Sequence, residues 1–386
     1  MGGQLQFLQV GALRLNEPLF GLSDVPSEMQ QQLACARYQT ATQIVDAALR
    51  EHVELVAFVG STTGISVQGS RAPWFLWEQF QRLNQHGIHV AVRSQHLPHP
   101  PAGLTWPANV HLVSPRFPAS IRVRSGHTVR VSDECDITNA LGAAAHDIVL
   151  SQHVPASQLL EKHSNSYWAC GGPNRIVDNA TGNSQFLAAG VPQGDEFSHA
   201  GPCGSLLVSL KNGRALTSRL IPCSSVVWHS EQLELTDQTT IENVRRTMTA
   251  RHSQLACSNG LQVVRWEIAV DSLEQMPVAV MAHGGAFLRE LRNAAPANVW
   301  IEMVRLNCSD ISASEATFSD RAIAVARNVM NEMAASATID FARQTSLADT
   351  EIPSGLQTVT KNDFLNRIQT PLDARLVEEL SVRRTA

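Results

Sequence analysis

Residues 53–64 read Val-Glu-Leu-Val-Ala-Phe-Val-Gly-Ser-Thr-Thr-Gly. A short apolar run closed by glycine and hydroxyl residues is the pattern of a strand covered on both faces. Upstream, apolar positions 41, 44, 45, 48 and 49 share one helical face, and residues 4–10 form an apolar-rich strand candidate. Pro18, Gly21 and Pro26 mark the loop between them. Downstream, a helix predicted over 73–86 stops at Gly87 and leads into a strand over 88–93. The series strand, helix, strand, helix, strand predicts an α/β layer with strands buried on both faces.

From residue 109 the pattern changes to short strands, over 109–113, 121–124, 128–132, 147–151, 166–170, 205–210 and 215–222. Lys211-Asn212-Gly213-Arg214 predicts a tight hairpin between the last two, because Asn-Gly supplies the positive φ angles such a turn needs. A polar stretch over 236–259 reads as a helix and connection. Beyond it, strands over 262–270 and 299–306 and a helix near 284–294 predict a small α+β unit. Residues 312–336 are Ala-rich and helical in pattern, and 345–386 carry Pro353, Gly355 and Pro371 between short amphipathic pieces. The expected organisation is a core over 1–245, a cap over 255–345 and a helical tail over 346–386.

With 386 residues and 44% hydrophobic content, the chain can bury a large core and a smaller accessory unit. Its longest apolar runs, over 53–60 and 205–210, fall far short of the roughly 20 residues that cross a bilayer, so no membrane span is expected. Residues 1–15 read as a first strand and not as a signal peptide. Seven cysteines without a C-x-x-C pair argue against a disulfide framework and a structural zinc site, so a cytoplasmic location is expected. The net charge of −5 gives no global pull toward nucleic acid, and any DNA contact must be local.

Several segments, in order, resemble the SbcD-type DNA-repair exonuclease family, and particularly its YhaO-like branch, within the calcineurin-like metallophosphoesterases. Phe7 to Leu15 is similar to that family's first strand and D-x-H loop, with Ala12 at the Asp position and Arg14 at the His position. Residues 53–64 resemble the second strand and its G-D-x-x-D loop, with Ser61 at the metal-bridging Asp and Gly64 at the later one. Residues 87–97 resemble the strand ending in G-N-H-D, with Gln95 for Asn, His96 retained and Leu97 for Asp. Asp147 to His153 looks like the strand that ends in a metal-binding His; the natural register puts Gln152 there, and one residue of slip puts His153 there. Tyr167 to Arg175 resembles Y-W-A-x-G-H-x-H-R, with Gly172 and Asn174 for both histidines. The 190–194 and 201–208 stretches, then 263–267 and 299–306, extend the likeness in collinear order through the cap. The resemblance implies a four-layer αββα metallophosphoesterase sandwich with an α+β cap. In the family two manganese ions do the chemistry.

Such hydrolysis needs two cations that clamp the attacking and leaving oxygens and activate a water. Ala12, Leu97 and Gly172 offer no donor atom, and Arg14 places a fixed positive charge where a dication would sit. A neutral Ser61 hydroxyl cannot bridge two dications as a carboxylate does. The expectation is no dimetal centre and no cofactor, with His96 left as a vestigial general acid, more simply read as a partly buried, hydrogen-bonded histidine.

Other signals point elsewhere. His283-Gly284-Gly285 is spaced like an esterase oxyanion loop, but no G-x-S-x-G elbow accompanies it. Cys203 and His199 are close in sequence, and their segment already matches a family loop, so they read as structural. Gly60 to Gly64 lacks the G-K-[ST] ending of a phosphate loop. Asp133, Glu134 and Asp136 read as a solvated acidic turn. Arg122, Arg124 and Arg130 share one parity and read either as phosphate contacts or as a solvated β face.

The leading functional reading is an inactive phosphoesterase-fold protein acting as a scaffold or partner. The resemblance implies an SbcC-like coiled-coil ATPase as that partner, docking after the cap, where Phe364, Leu365, Ile368, Leu372, Leu376 and Leu380 form an apolar stripe. It also implies possible contact with DNA and a possible homodimer beside Leu19, Phe20 and Leu22. The alternatives are an active nuclease with relocated ligands around His96 and His153, and a phosphate or nucleic-acid binder using Arg14.

Overall fold

The computed structural model describes residues 4–17, 19, 22, 25–64, 71–134, 146–162, 166–171, 186–211, 214–270, 272 and 275–307. The chain divides into two compact units. The first comprises Met1–His229 with Ala256–Val263, and the second Ser230–Leu255 with Val264–Ala386. Gly172, Asn174, the 312–336 segment and the tail stripe lie outside the described residues.

The first unit is a layered α/β sandwich. Strands β1 (Leu5–Val10), β2 (Leu55–Phe58), β3 (His89–Arg93) and β4 (Val110–Val113) run parallel, and the antiparallel hairpin β10 (Gly204–Lys211) and β11 (Arg214–Pro222) adds to the β1 side. The order is β11-β10-β1-β2-β3-β4. A second sheet has the order β5 (Ala119–Arg122), β6 (Thr128–Asp133), β7 (His146–Ser151), β8 (Ser166–Cys170), β9 (Phe186–Ala188), parallel from β6 onward.

Alternating side chains build the layers, because successive residues of a strand point to opposite faces. Leu8, Val10, Val56, Phe58, Val90 and Val92 pack outward with Ile44, Val45, Ala48, Leu76, Phe80 and Leu83 from helices α1 (Ser27–Arg50) and α2 (Arg71–Gln85). Phe7, Leu55, Ala57 and Ala91 face the other way and meet Val129, Val131, Ile148, Leu150 and Tyr167 of the second sheet. On its far face Val149, Trp168 and Cys170 pack with Leu160 of α3 (Ser157–Lys162). The layers are therefore α, β, β, α, the expected sandwich.

The expected βαβαβ start is present, and Gly87 ends α2 in the left-handed region at φ +64°. Helix α1 begins at Ser27, well before the apolar periodicity, because its first turns are polar and largely solvent-facing. Strands β10 and β11 pair antiparallel out to Lys211 and Arg214, as expected of a hairpin, and Asn212 and Gly213 lie outside the described residues.

In the second unit, strand β14 (Val299–Asn307) carries helices α5 (Met276–His283) and α6 (Gly285–Ala294), and α4 (Ile241–Ala256) precedes the incoming β13 (Leu261–Ala269). The three-stranded sheet has the order β12-β13-β14. Strand β12 (Val226–Glu234) was not legible as a strand, because its second half is a polar run without a strongly apolar face. His283 sits at the end of α5 with Nδ1 2.7 Å from the Val304 carbonyl, a structural contact and not an oxyanion loop. Arg265 pairs with Glu302 at 3.1 Å, and Arg292 stacks over Trp300.

Trp266 Nε1 donates to buried His252 Nε2 at 3.0 Å, which requires a neutral imidazole. Burial, opposed only by the charge of Glu231, holds His252 at about 4. With an unfolded value near 6.5, the unfolded chain binds the proton first. Stability of this unit is complete above about pH 6.5 and falls by on the order of 3 kcal/mol as pH drops to about 4. Thermal melts across pH 4–7 should show this loss, and His252→Gln, which keeps an acceptor for Trp266, should flatten that part of the profile.

Candidate functional site

In an open parallel sheet the loops after the strands share one edge, and functional residues collect there. Parallel pairing of β1, β2 and β3 places the loops at residues 11–17, 60–64 and 94–97 side by side. Backbone bonds knit them: Arg14 N–H to Ser61 O at 3.3 Å, Leu15 N–H to Thr62 O at 3.0 Å, Asn16 N–H to Thr63 O at 3.1 Å, and Thr62 N–H to His96 O at 3.1 Å. The Thr62 hydroxyl adds a bond to the His96 carbonyl at 2.6 Å. Gly60 is glycine by necessity, since a Cβ would lie 2.7 Å from Ala12.

The second sheet brings its own strand ends to this edge. A Cβ on Gly171, just after β8, would lie 3.2 Å from the Val59 carbonyl and 3.4 Å from that of Gln152. The ends of β2, β7 and β8 thus converge. Two buried polar residues fasten the sheets together. Gln9 of β1 donates to the Cys170 carbonyl at 3.1 Å and the Leu187 carbonyl at 2.8 Å, and accepts from the Tyr167 hydroxyl at 2.7 Å. Arg93, at the end of β3, forms a fork on Asp133 (Nε to Oδ2 2.7 Å, Nη2 to Oδ1 3.3 Å) and reaches Glu134 with Nη1 at 2.9 Å.

For Asp133 and Glu134 the expectation of a solvated turn is therefore corrected, while Asp136 lies outside the described residues. Asp133 is 1% exposed and bound to Arg93, because β6 ends against β3 and not in water. Glu134 also accepts from the Ser151 hydroxyl at 2.6 Å and the Gln152 backbone N–H at 3.3 Å.

The residues singled out by sequence fall along this edge with different fates. Ala12 offers a methyl group. Arg14 takes a left-handed backbone at φ +52°, which costs a non-glycine residue roughly 1–2 kcal/mol. Its guanidinium contacts Asp195 at 3.4 Å and Glu17 at 3.8 Å. The Ser61 hydroxyl accepts from the Gly64 N–H at 2.9 Å. Gln95, Gln152 and His153 are exposed, and Leu97 packs on the α1/α2 core. His96 is partly buried, but its Nδ1 lacks the hydrogen bond expected of it among the described residues. Burial, then the charge of Arg93, hold its imidazole below the usual range, against the opposing pull of Asp133 and Glu134. His96 is thus neutral near pH 7.

Asp195 forms a second knot that the sequence did not reveal. It meets buried Arg37 at 3.3 Å, Arg14 at 3.4 Å and His199 Nδ1 at 2.6 Å. Burial pushes this carboxyl up, but the hydrogen bond and charge of His199, followed by Arg37 and Arg14, outweigh it and hold it at about 2. Among the described residues, the group of three or more His, Cys, Asp or Glu with converging ligand atoms is Asp195, Glu196 and His199. Two guanidinium groups already occupy Asp195, and a cation there would add to theirs. Cys203 gives its thiol to the carbonyls of His199 and Gly201, and burial pushes its pKa up, so it is no activated nucleophile.

Among the described residues, the donor set at the strand edge does not fit a pair of dications. Of the described positions there, Ala12 has no donor, Ser61 is neutral and committed, Arg14 is a cation, and no group of three potential ligands includes His96 or His153. Of the arginine face, Arg122 and Arg124 are exposed and Arg130 half-buried beside Asp147, and Arg124 donates to the carbonyls of His86, His52 and Val53 near the ends of α1 and α2.

No family model matches this chain. Over 117 residues it is 31% identical to a protein of Bacillus subtilis (strain 168) described as "Uncharacterized metallophosphoesterase YhaO". The match spans 30% of this chain and 29% of that protein. It agrees with the α, β, β, α layering and supports a metallophosphoesterase-like fold. Among the described residues no helix is long and apolar enough to cross a membrane.

Removing Asp195 leaves Arg37, 3% exposed, without its carboxylate. Asp195→Ala should cost about 3–5 kcal/mol in chemical denaturation, the usual penalty for stranding a buried charge. A cost below about 1 kcal/mol would show that solvent reaches the knot.

Proposed function

We propose that this chain is a catalytically inactive metallophosphoesterase-fold protein that serves as a scaffold or partner subunit. The observation that carries this reading is the chemistry of the strand-end edge. The position that resembles the metal-bridging carboxylate is Ser61, its hydroxyl engaged by the Gly64 N–H, and the neighbouring Arg14 guanidinium is paired with Asp195. A phosphodiester bound there would find neither an activated water nor a pair of cations on its oxygens. Burial and the charge of Arg93 hold the His96 imidazole below its usual range, which disfavours the protonated form that a general acid needs.

Active hydrolysis with relocated ligands would need His96, His153 and two carboxylates in one place. The carboxylates nearest His96, Asp133 and Glu134, are bound to Arg93. An anion site built on Arg14 is disfavoured because Asp195 and Glu17 already compensate its charge. The proposed partner is an SbcC-like coiled-coil ATPase, inferred from the family resemblance. The proposed docking element is the stripe Phe364, Leu365, Ile368, Leu372, Leu376 and Leu380, spaced for a helix in an apolar groove.

Elemental analysis of protein purified without chelators should find no stoichiometric transition metal, and manganese titration calorimetry should show no saturable heat. Hydrolysis of bis-p-nitrophenyl phosphate and of linear DNA should stay at the background rate with manganese present. Two equivalents of tightly held manganese with turnover would overturn the reading. Co-purification with a coiled-coil ATPase that is lost on Leu365→Asp and Leu372→Asp would support the partner assignment.

A further inference from the structure

We infer that Arg93 is an internal, covalently fixed cation that holds the strand-end edge of the sandwich together in place of bound dications. The inference rests on the metal-free reading above for the words "in place of"; the tie itself rests on geometry.

Four strand ends meet at this network. Arg93 ends β3, Asp133 ends β6 with Glu134 directly after it, Ser151 ends β7, and Gly171, which follows β8, donates its N–H to the Ser151 carbonyl at 2.8 Å. The Arg93 side chain is 4% exposed and uses all three of its nitrogens on the two carboxylates. Glu134 then passes the link on through its second oxygen to the Ser151 hydroxyl and the Gln152 N–H. Ser151 Oγ also lies 2.5 Å from the His153 carbonyl, which fixes the turn after β7.

Carboxylates gathered at the junction of two sheets repel one another unless a positive charge sits between them. A metal site solves this with cations from solvent, so that its loops are ordered only when loaded. A guanidinium solves it permanently: it is planar, always charged and bidentate, and it cannot be chelated away. The loops after β3 and β7 can then hold their shape at any metal concentration, as a binding platform requires.

The test uses the full-length chain in thermal melts, with EDTA or with manganese chloride. Wild type should melt at the same temperature in both. Arg93→Met should melt about 10 °C lower, since it removes the positive charge between Asp133 and Glu134. Arg93→Lys should fall between the two, because an ammonium cannot form the fork. The triple variant Arg93→Met, Asp133→Asn, Glu134→Gln should recover more than half of the loss, which separates charge from lost packing even if Arg93→Met alone does not fold. Arg93→Met melting with wild type, or a triple variant no better than a folded Arg93→Met, would overturn the inference. A manganese-induced rise in the wild-type melting temperature would instead overturn the metal-free reading.

Discussion

A buried guanidinium on one sheet and two carboxylates on the other set the terms for the first unit. Two apolar sheet faces pack against each other with little preference for register along the strands. A fork of hydrogen bonds from Arg93 to Asp133 has one geometry. Gln9 does the same work farther along the sandwich, with its amide filled by Cys170, Leu187 and Tyr167. Once these ties fix the sheets, the ends of β2, β7 and β8 must converge, and the loops after them must share one surface.

That surface is set by the topology, and its chemistry by the side chains the loops carry. Parallel strands deliver loops to one edge regardless of what the loops carry. Here they carry a methyl group, a committed hydroxyl, a paired arginine and a neutral histidine. Negative charge is present at the edge, but it is spent within the protein: Asp133 and Glu134 on Arg93, Asp195 on Arg14, Arg37 and His199. Among the described residues, Asp133, Glu134 and Asp195 each meet a side-chain cation.

Much of the layer order was legible because burial on both faces leaves a plain mark. Val53 to Val59 is nearly all apolar, and Gly87 terminates a helix for a reason visible in its lack of a side chain. Strand β12 and the early turns of α1 were harder, since both carry polar residues where local pattern offers no apolar face. At the site, the chemistry of the side chains at 12, 14, 61, 95 and 97 was readable directly. The bonds they make were not. Asp133 and Glu134 looked like a solvated turn because a sequence does not show that Arg93, forty residues away, ends on the adjoining sheet.

The sequence by itself determined the alternation of strands and helices, the antiparallel return of β11 on β10 and the absence of ligand atoms at positions such as Ala12 and Leu97. These are local properties: periodicity, turn chemistry and side-chain composition act over a few residues. Only the tertiary structure decided which charges meet. Pairing energies depend on separation and burial, and Arg93 with Asp133 or Arg37 with Asp195 becomes a contact only when distant strands and helices are brought together with water excluded.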